Sequence, residues 1–168
     1  MDGRSNLAAV AQDWVSGLNA ALAHGAQERI ADQFADEAHW RNAFGLNWDL
    51  RTISGPAAIA RALRAAGAPA FRLHPCKPAP ERVDVAGVDV ILAFLAFDAA
   101  AGDGVGVVRL QASPDGHKAL SLMTTRETLE TGADRRHAFG ADYQAADNRQ
   151  PNWLDKRREE QAFADRDP

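Results

Sequence analysis

The chain has 168 residues, of which 46% are hydrophobic and 25% charged, with a formal net charge of −4. That length allows one domain with a real core, or one domain plus an appendage, and its mixed charges leave no basic stripe for nucleic acid. The single Cys76 excludes an internal disulfide, and without flanking Cys or His it offers no metal motif.

The first residues, Met1-Asp-Gly-Arg-Ser-Asn6, carry neither a cationic nor an apolar leader segment. The apolar-rich run Val88–Ala101 is interrupted by Asp89 and Asp98 and is too short to span a bilayer. The expectation is a cytoplasmic protein with no membrane partner.

Leu7, Val10, Trp14, Leu18 and Leu22 recur at spacings of three and four, which predicts a first helix capped by Ser5 or Asn6 and stopped at Gly25. A second helical pattern runs from Ala26 to about Phe34, and Asp36–Asn47 reads as a turn into a strand. Pro56, after Ser54-Gly55, opens a third helix that carries Ile59 and Leu63 and ends at Gly67 and Pro69.

Strands follow at Phe71–His74, Arg82–Val85, Val88–Asp98, Val105–Ala112 and Lys118–Leu129. Turns fall at Ala86-Gly87, Ala101-Gly-Asp-Gly104 and Ser113-Pro-Asp-Gly116. Apolar residues run on through Val88–Asp98 with little alternation, so that strand is expected to pack on both faces. Helices followed by an antiparallel meander make an α+β domain. Residues 1–131 form this domain, and 132–168 form a linker and an amphipathic helix over Trp153–Phe163, capped by Asn152.

The densest chemistry lies between Phe34 and Gly55. Trp40 and Trp48 stand there among His39, Arg41, Asn42, Asp49 and Arg51, and aromatic rings beside convergent polar groups are the usual material of a small-molecule pocket. In a strand, Trp40, Asn42 and Phe44 share one face, directed inward, and His39, Arg41 and Ala43 share the other. Trp40 and Phe44 serve equally as core, and Asn42 as a satisfied buried amide. Asp49, Arg51 and Thr52 form either a polar rim or an ion pair that organises the turn. The five histidines lack metal-ligand spacing, and His117 falls in an exposed hairpin turn. Gly102-Asp-Gly-Val-Gly106 leads into a strand and reads as a hairpin turn, not a dinucleotide loop.

The order helix, helix, Trp-rich strand, Gly-Pro-started helix and antiparallel meander resembles the nuclear transport factor 2-like (SnoaL-like) fold. That fold is a cone of curved antiparallel sheet wrapped by three helices around a deep pocket. More narrowly, His39-Trp-Arg-Asn42 followed by Trp48-Asp-Leu-Arg-Thr-Ile-Ser-Gly55 resembles the domain ahead of the FAD-binding region in bacterial and fungal flavin-dependent monooxygenases. Those proteins tend to read Tyr-Trp-Arg-Asp and then Trp-Asp-x-Arg-Thr-x-x-Gly. The segment Asn152-Trp-Leu-Asp-Lys-Arg-Arg158 is similar to their connector into the first FAD-binding strand. This chain departs from the pattern at His39, where Tyr is usual, at Asn42, where an acid is usual, and by ending where that strand would begin.

The resemblance implies an accessory pocket domain without redox chemistry of its own. A small apolar or aromatic molecule would be held by Trp40, Asn42, Phe44, Trp48, His39, Arg51 and Thr52. It implies no cofactor in this chain, with FAD and NADPH only if a flavin domain follows, docked by residues 151–168. It also implies a homodimer formed through the open sheet face. One alternative is a stand-alone isomerase, dehydratase or hydrolase of the same fold with Asp49 as base. The other is a dimerisation module with a filled cone.

Overall fold

A computed structural model describes residues 3–99 and 102–127, together with Leu154, Arg157 and Arg158. The chain divides into two compact units, Met1–Thr131 and Gly132–Pro168. In the second unit the three described residues are helical and exposed. The linker over 132–150 and the rest of the expected Trp153–Phe163 helix lie outside the described residues, as does the expected end of the last strand at Leu129.

Three helices stand in the first unit. Helix α1 (Gly3–His24) starts ahead of its expected caps and stops at Gly25, whose φ of 64° turns the chain into a conformation that glycine adopts without strain. It buries Ala11, Trp14, Val15, Leu18 and Ala21, while Leu7, Val10 and Leu22 pack at the margin of that face. Helix α2 (Gln27–Ala31) is a short turn of helix that buries Ile30. It ends before Phe34, which the periodicity had assigned to it. Phe34 instead opens a strand, pairs with Ala119, and sets its ring edge-on to Trp14 at 6.2 Å. Helix α3 (Pro56–Ala65) begins at Pro56 as expected and buries Ile59, Ala60 and Leu63.

Among the described residues seven strands form one curved sheet. They are β1 (Phe34–Ala43), β2 (Leu50–Ser54), β3 (Phe71–Leu73), β4 (Glu81–Val85), β5 (Val88–Ala99), β6 (Gly102–Ser113) and β7 (Gly116–Arg126). The order is β2-β1-β7-β6-β5-β3, with β4 on the same edge of β5 as β3. The expected antiparallel sheet is corrected at one pairing, since β1 and β7 run parallel. Strand β2 was not foreseen; its short run Leu50-Arg-Thr-Ile-Ser54 carries little apolar alternation to betray it.

The core lies between the helices and one sheet face. Ile91, Ala93, Leu95 and Phe97 of β5 meet Trp40, Val108 and Leu122 there. On the other face of β5, Val90 and Ala96 are buried but Leu92 and Phe94 only half-buried, so the expected packing on both faces is partial.

Two turn assignments change. The glycines of Gly102–Gly106 lie within β6, not in a turn, and pairing continues out to Ala99↔Gly102. Gly104 and Gly106 are buried on the inner face, and a β-carbon at Gly104 would collide with the Phe97 ring. The run therefore makes room for core. His117 is the second residue of β7 and half-buried, because the turn is only Pro114-Asp115.

Candidate functional site

The two segments singled out in the sequence become neighbouring antiparallel strands, β1 and β2, joined by the loop 44–49. Their polar residues bond to one another across the hairpin. His39 Nδ1 and Ser54 Oγ lie 2.9 Å apart, and Arg41 Nη1 donates to Thr52 Oγ1 at 2.9 Å. Arg51 Nε pairs with Asp49 Oδ2 at 2.7 Å. All of these groups are at least partly exposed, so each link contributes about 0–1 kcal/mol. Collectively they hold the register of the hairpin. Asp49 thus lies at the surface beside Arg51, and Thr52 is engaged by Arg41.

Inside the sheet face the arrangement is different. Trp40 is 1% exposed and Asn42 is 0% exposed. Trp40 Nε1 donates to Thr124 Oγ1 at 3.0 Å, and that hydroxyl donates to Asn42 Oδ1 at 3.1 Å. Asn42 Oδ1 also accepts from Leu46 N–H at 3.1 Å, and Asn42 Nδ2 donates to Asn47 Oδ1 at 2.5 Å and to the Asp49 carbonyl at 2.7 Å. The chain of bonds ties β1, β7 and the loop together. It leaves Asn42 with both lone-pair directions and both N–H groups occupied. Trp40 is walled by Leu122 and Ile53, its partners on β7 and β2.

Phe44 leaves the inward face expected for it. With φ of 60° it breaks the strand alternation, an uncommon conformation for a residue with a β-carbon. Its ring turns outward, 44% exposed, and meets Trp48 at a centroid distance of 6.5 Å. Trp48 is 69% exposed and Leu50 is 53% exposed. Gly45 lets the loop lie on β7, since a β-carbon there would stand 2.7 Å from the Thr124 carbonyl carbon. His39, Arg41 and Ala43 face the opposite side of the sheet from Trp40, as the alternation predicts.

The sequence reading missed Arg126, at the end of β7. Its guanidinium carbon sits 5.3 Å from the Trp48 ring centroid. Nε donates to the Phe44 carbonyl at 3.3 Å and Nη2 to the Gly45 carbonyl at 3.0 Å. Nη1 is enclosed without an acceptor, and leaving a buried donor unmade costs about 1–3 kcal/mol. Among the described residues no carboxylate pairs with Arg126. Nothing in the local sequence marks this, because the contact spans some eighty positions.

A separate cleft of about 680 Å³ opens between α1, the α2–β1 link and the β6–β7 hairpin, lined by Asp13, Trp14, Asp32, Gln33, His117 and Lys118 among others. Among the described residues no group of His, Cys, Asp or Glu is close enough to hold a metal ion. The glycines of β6 lie within a strand and open no helix.

No protein-family model matches the chain, and no curated protein does. Solved structures do. One is a protein from Novosphingobium aromaticivorans named as an aromatic ring hydroxylase, with 15% identity and a TM-score of 0.52 over 73% of this chain and 90% of that one. Another is a Streptomyces avermitilis protein named as a dehydratase of the NTF2-like family, with 13% identity and a TM-score of 0.50 over 71% and 96%. The fold is nuclear transport factor 2-like. A ketosteroid isomerase-like protein from Erwinia carotovora atroseptica agrees, with 10% identity and a TM-score of 0.51 over 71% of this chain and 95% of that one. In this nuclear transport factor 2-like chain the inward aromatic and amide of β1 are spent on packing and on anchoring a loop. The aromatic side chains of that loop face outward.

Proposed function

We propose that this chain is a small-molecule-binding accessory domain of the nuclear transport factor 2-like fold, working beside the flavin-binding part of a monooxygenase. Redox chemistry belongs to that other part, which would hold FAD and NADPH. The observation that carries the reading is how the enclosed polar groups are spent. Asn42 and Thr124, the two buried polar side chains among the described residues, bond to each other, to Trp40 and to the loop 44–49. Asp49 meanwhile is paired at the surface. Such an arrangement holds and presents; it does not set a desolvated base against a substrate.

Two further features support the reading. The β1–β2 hairpin brings together two of the segments that resemble the monooxygenase-associated domain, His39–Asn42 and Trp48–Gly55. One structural neighbour is named as an aromatic ring hydroxylase. Residues 151–168 are the proposed contact with the flavin-binding part. The outer face of β5 and β6, with half-buried Leu92, Phe94 and Val107, is the proposed surface for a second copy.

The test is the size and cofactor content of the native polypeptide, isolated from its source cells with an antibody against this domain. A species much heavier than the 168-residue chain that carries flavin fluorescence supports the reading. A flavin-free species of this size that no flavoprotein accompanies overturns it.

A further inference from the structure

The loop 44–49 spends its apolar residues in an unusual way. Phe44, Trp48 and Leu50 are three of the exposed large hydrophobic side chains among the described residues, and all three stand on or beside this one loop. A positive φ at Phe44 turns its ring out to join them, and backbone strain of this kind gathers at functional sites. Beneath Trp48 lies Arg126, a cation with one nitrogen, Nη1, enclosed and unpaired. The neighbouring charges are already balanced. Arg51 is paired with Asp49, and Glu127 with Lys77 at 3.3 Å. Arg126 has no carboxylate partner among the described residues.

We propose that Trp48 and Arg126 form a binding site for an aromatic monocarboxylate. With Nε and Nη2 engaged on backbone carbonyls, Nη1 is the guanidinium nitrogen left to make a charge-assisted hydrogen bond to a carboxylate oxygen. A monoanionic carboxylate suits this one guanidinium, which pairs with no carboxylate among the described residues. The face of Trp48, flanked by Phe44, supplies a flat apolar surface for the ring of the ligand. Among the described residues Trp48 is held over Arg126 by the ring–cation contact and the tilted Phe44 contact, so its indole swings aside at low cost. With the indole displaced, a carboxylate oxygen accepts from Nη1, the nitrogen left without a partner, and the ring of the ligand packs on the indole.

This inference rests on the small-molecule reading above and not on the flavin partner. The test uses the full chain and measures binding of 2-naphthoate, 2-naphthamide and 2-naphthol by calorimetry in the millimolar range. The indole N–H signals are followed by NMR at the same time. The expected result is saturable binding of 2-naphthoate, at least tenfold tighter than the amide or the phenol, with a shift of the Trp48 indole signal. Trp48→Ala, at an exposed site that leaves the core untouched, weakens that binding tenfold or more. Arg126→Lys, which keeps the charge but loses the fork, weakens it as well. Equal affinity for the three compounds, or no effect of Trp48→Ala, overturns the site. If 2-naphthol binds and shifts Trp40 or Trp14 instead, the small-molecule reading stands and this site falls. If none of the three binds, both fall.

Discussion

Trp40 on β1 reaches past its partner Leu122 on the parallel strand β7 to Thr124, two residues further on, whose hydroxyl satisfies the indole N–H at 3.0 Å. The same hydroxyl donates its own hydrogen bond to Asn42 Oδ1 at 3.1 Å. One side chain of intermediate size thus serves two buried partners. A large aromatic with a polar tip can be fully enclosed only where such a partner exists.

Thr124→Val keeps the shape and removes the hydroxyl. Trp40 Nε1 then becomes a buried donor without an acceptor, and a loss of about 1–3 kcal/mol is expected. Urea unfolding of the two proteins measures it. In the Trp40→Phe background, where no indole N–H remains, the same change is expected to cost clearly less, and a double-mutant cycle reads the difference.

Asn42→Asp places the acid of the flavin-associated pattern at this position. Here Nδ2 donates to the Asp49 carbonyl at 2.7 Å, so a carboxylate would set oxygen against oxygen in a buried site. Burial and missing donors disfavour the charged form and raise the carboxyl pKa in the folded state. Stability of the variant, relative to the parent, is therefore greatest at low pH and falls as pH rises through that raised value. Thermal unfolding at several pH values checks the sign.

Gly104→Ala drives a methyl group into the Phe97 ring, which is itself fixed edge-on to Phe71 at 5.3 Å. Overpacking of this kind costs about 1–3 kcal/mol. Pairing it with Phe97→Leu is expected to return part of the loss, and unfolding midpoints of the single and double variants show it.

Asp49→Asn breaks an exposed ion pair with Arg51 and is expected to change stability by about 0–1 kcal/mol. As an accessory domain, the chain keeps its ligand affinity in this variant, and titration calorimetry with 2-naphthoate reads it directly. A rate loss of about 10²–10⁴ in an isomerase or dehydratase assay would instead make Asp49 a general base and displace the accessory reading.

Elements whose signals are local were legible before folding. Pro56 after Gly55 placed α3, and the apolar run from Val90 to Phe97 placed strand β5. Phe34 was misplaced, because one apolar residue fits the end of a helix or the start of a strand equally well. Pairing with Ala119 decided the matter. Phe44 was read as inward because alternation assumes extended backbone, and its φ of 60° breaks that assumption. Arg126 escaped notice because its partners, Phe44, Gly45 and Trp48, lie far away along the chain.

Periodicity, caps and turn residues by themselves determined the three helices, most of the strands and the α+β class, because those signals act over a few residues. They also brought attention to the stretch from His39 to Gly55. Tertiary structure alone decided what its residues do. Trp40 became core, Asn42 became an anchor, and Trp48 turned outward onto Arg126. Hydrogen-bond satisfaction and burial depend on which distant strands meet, and the parallel return of β1 beside β7 set those meetings.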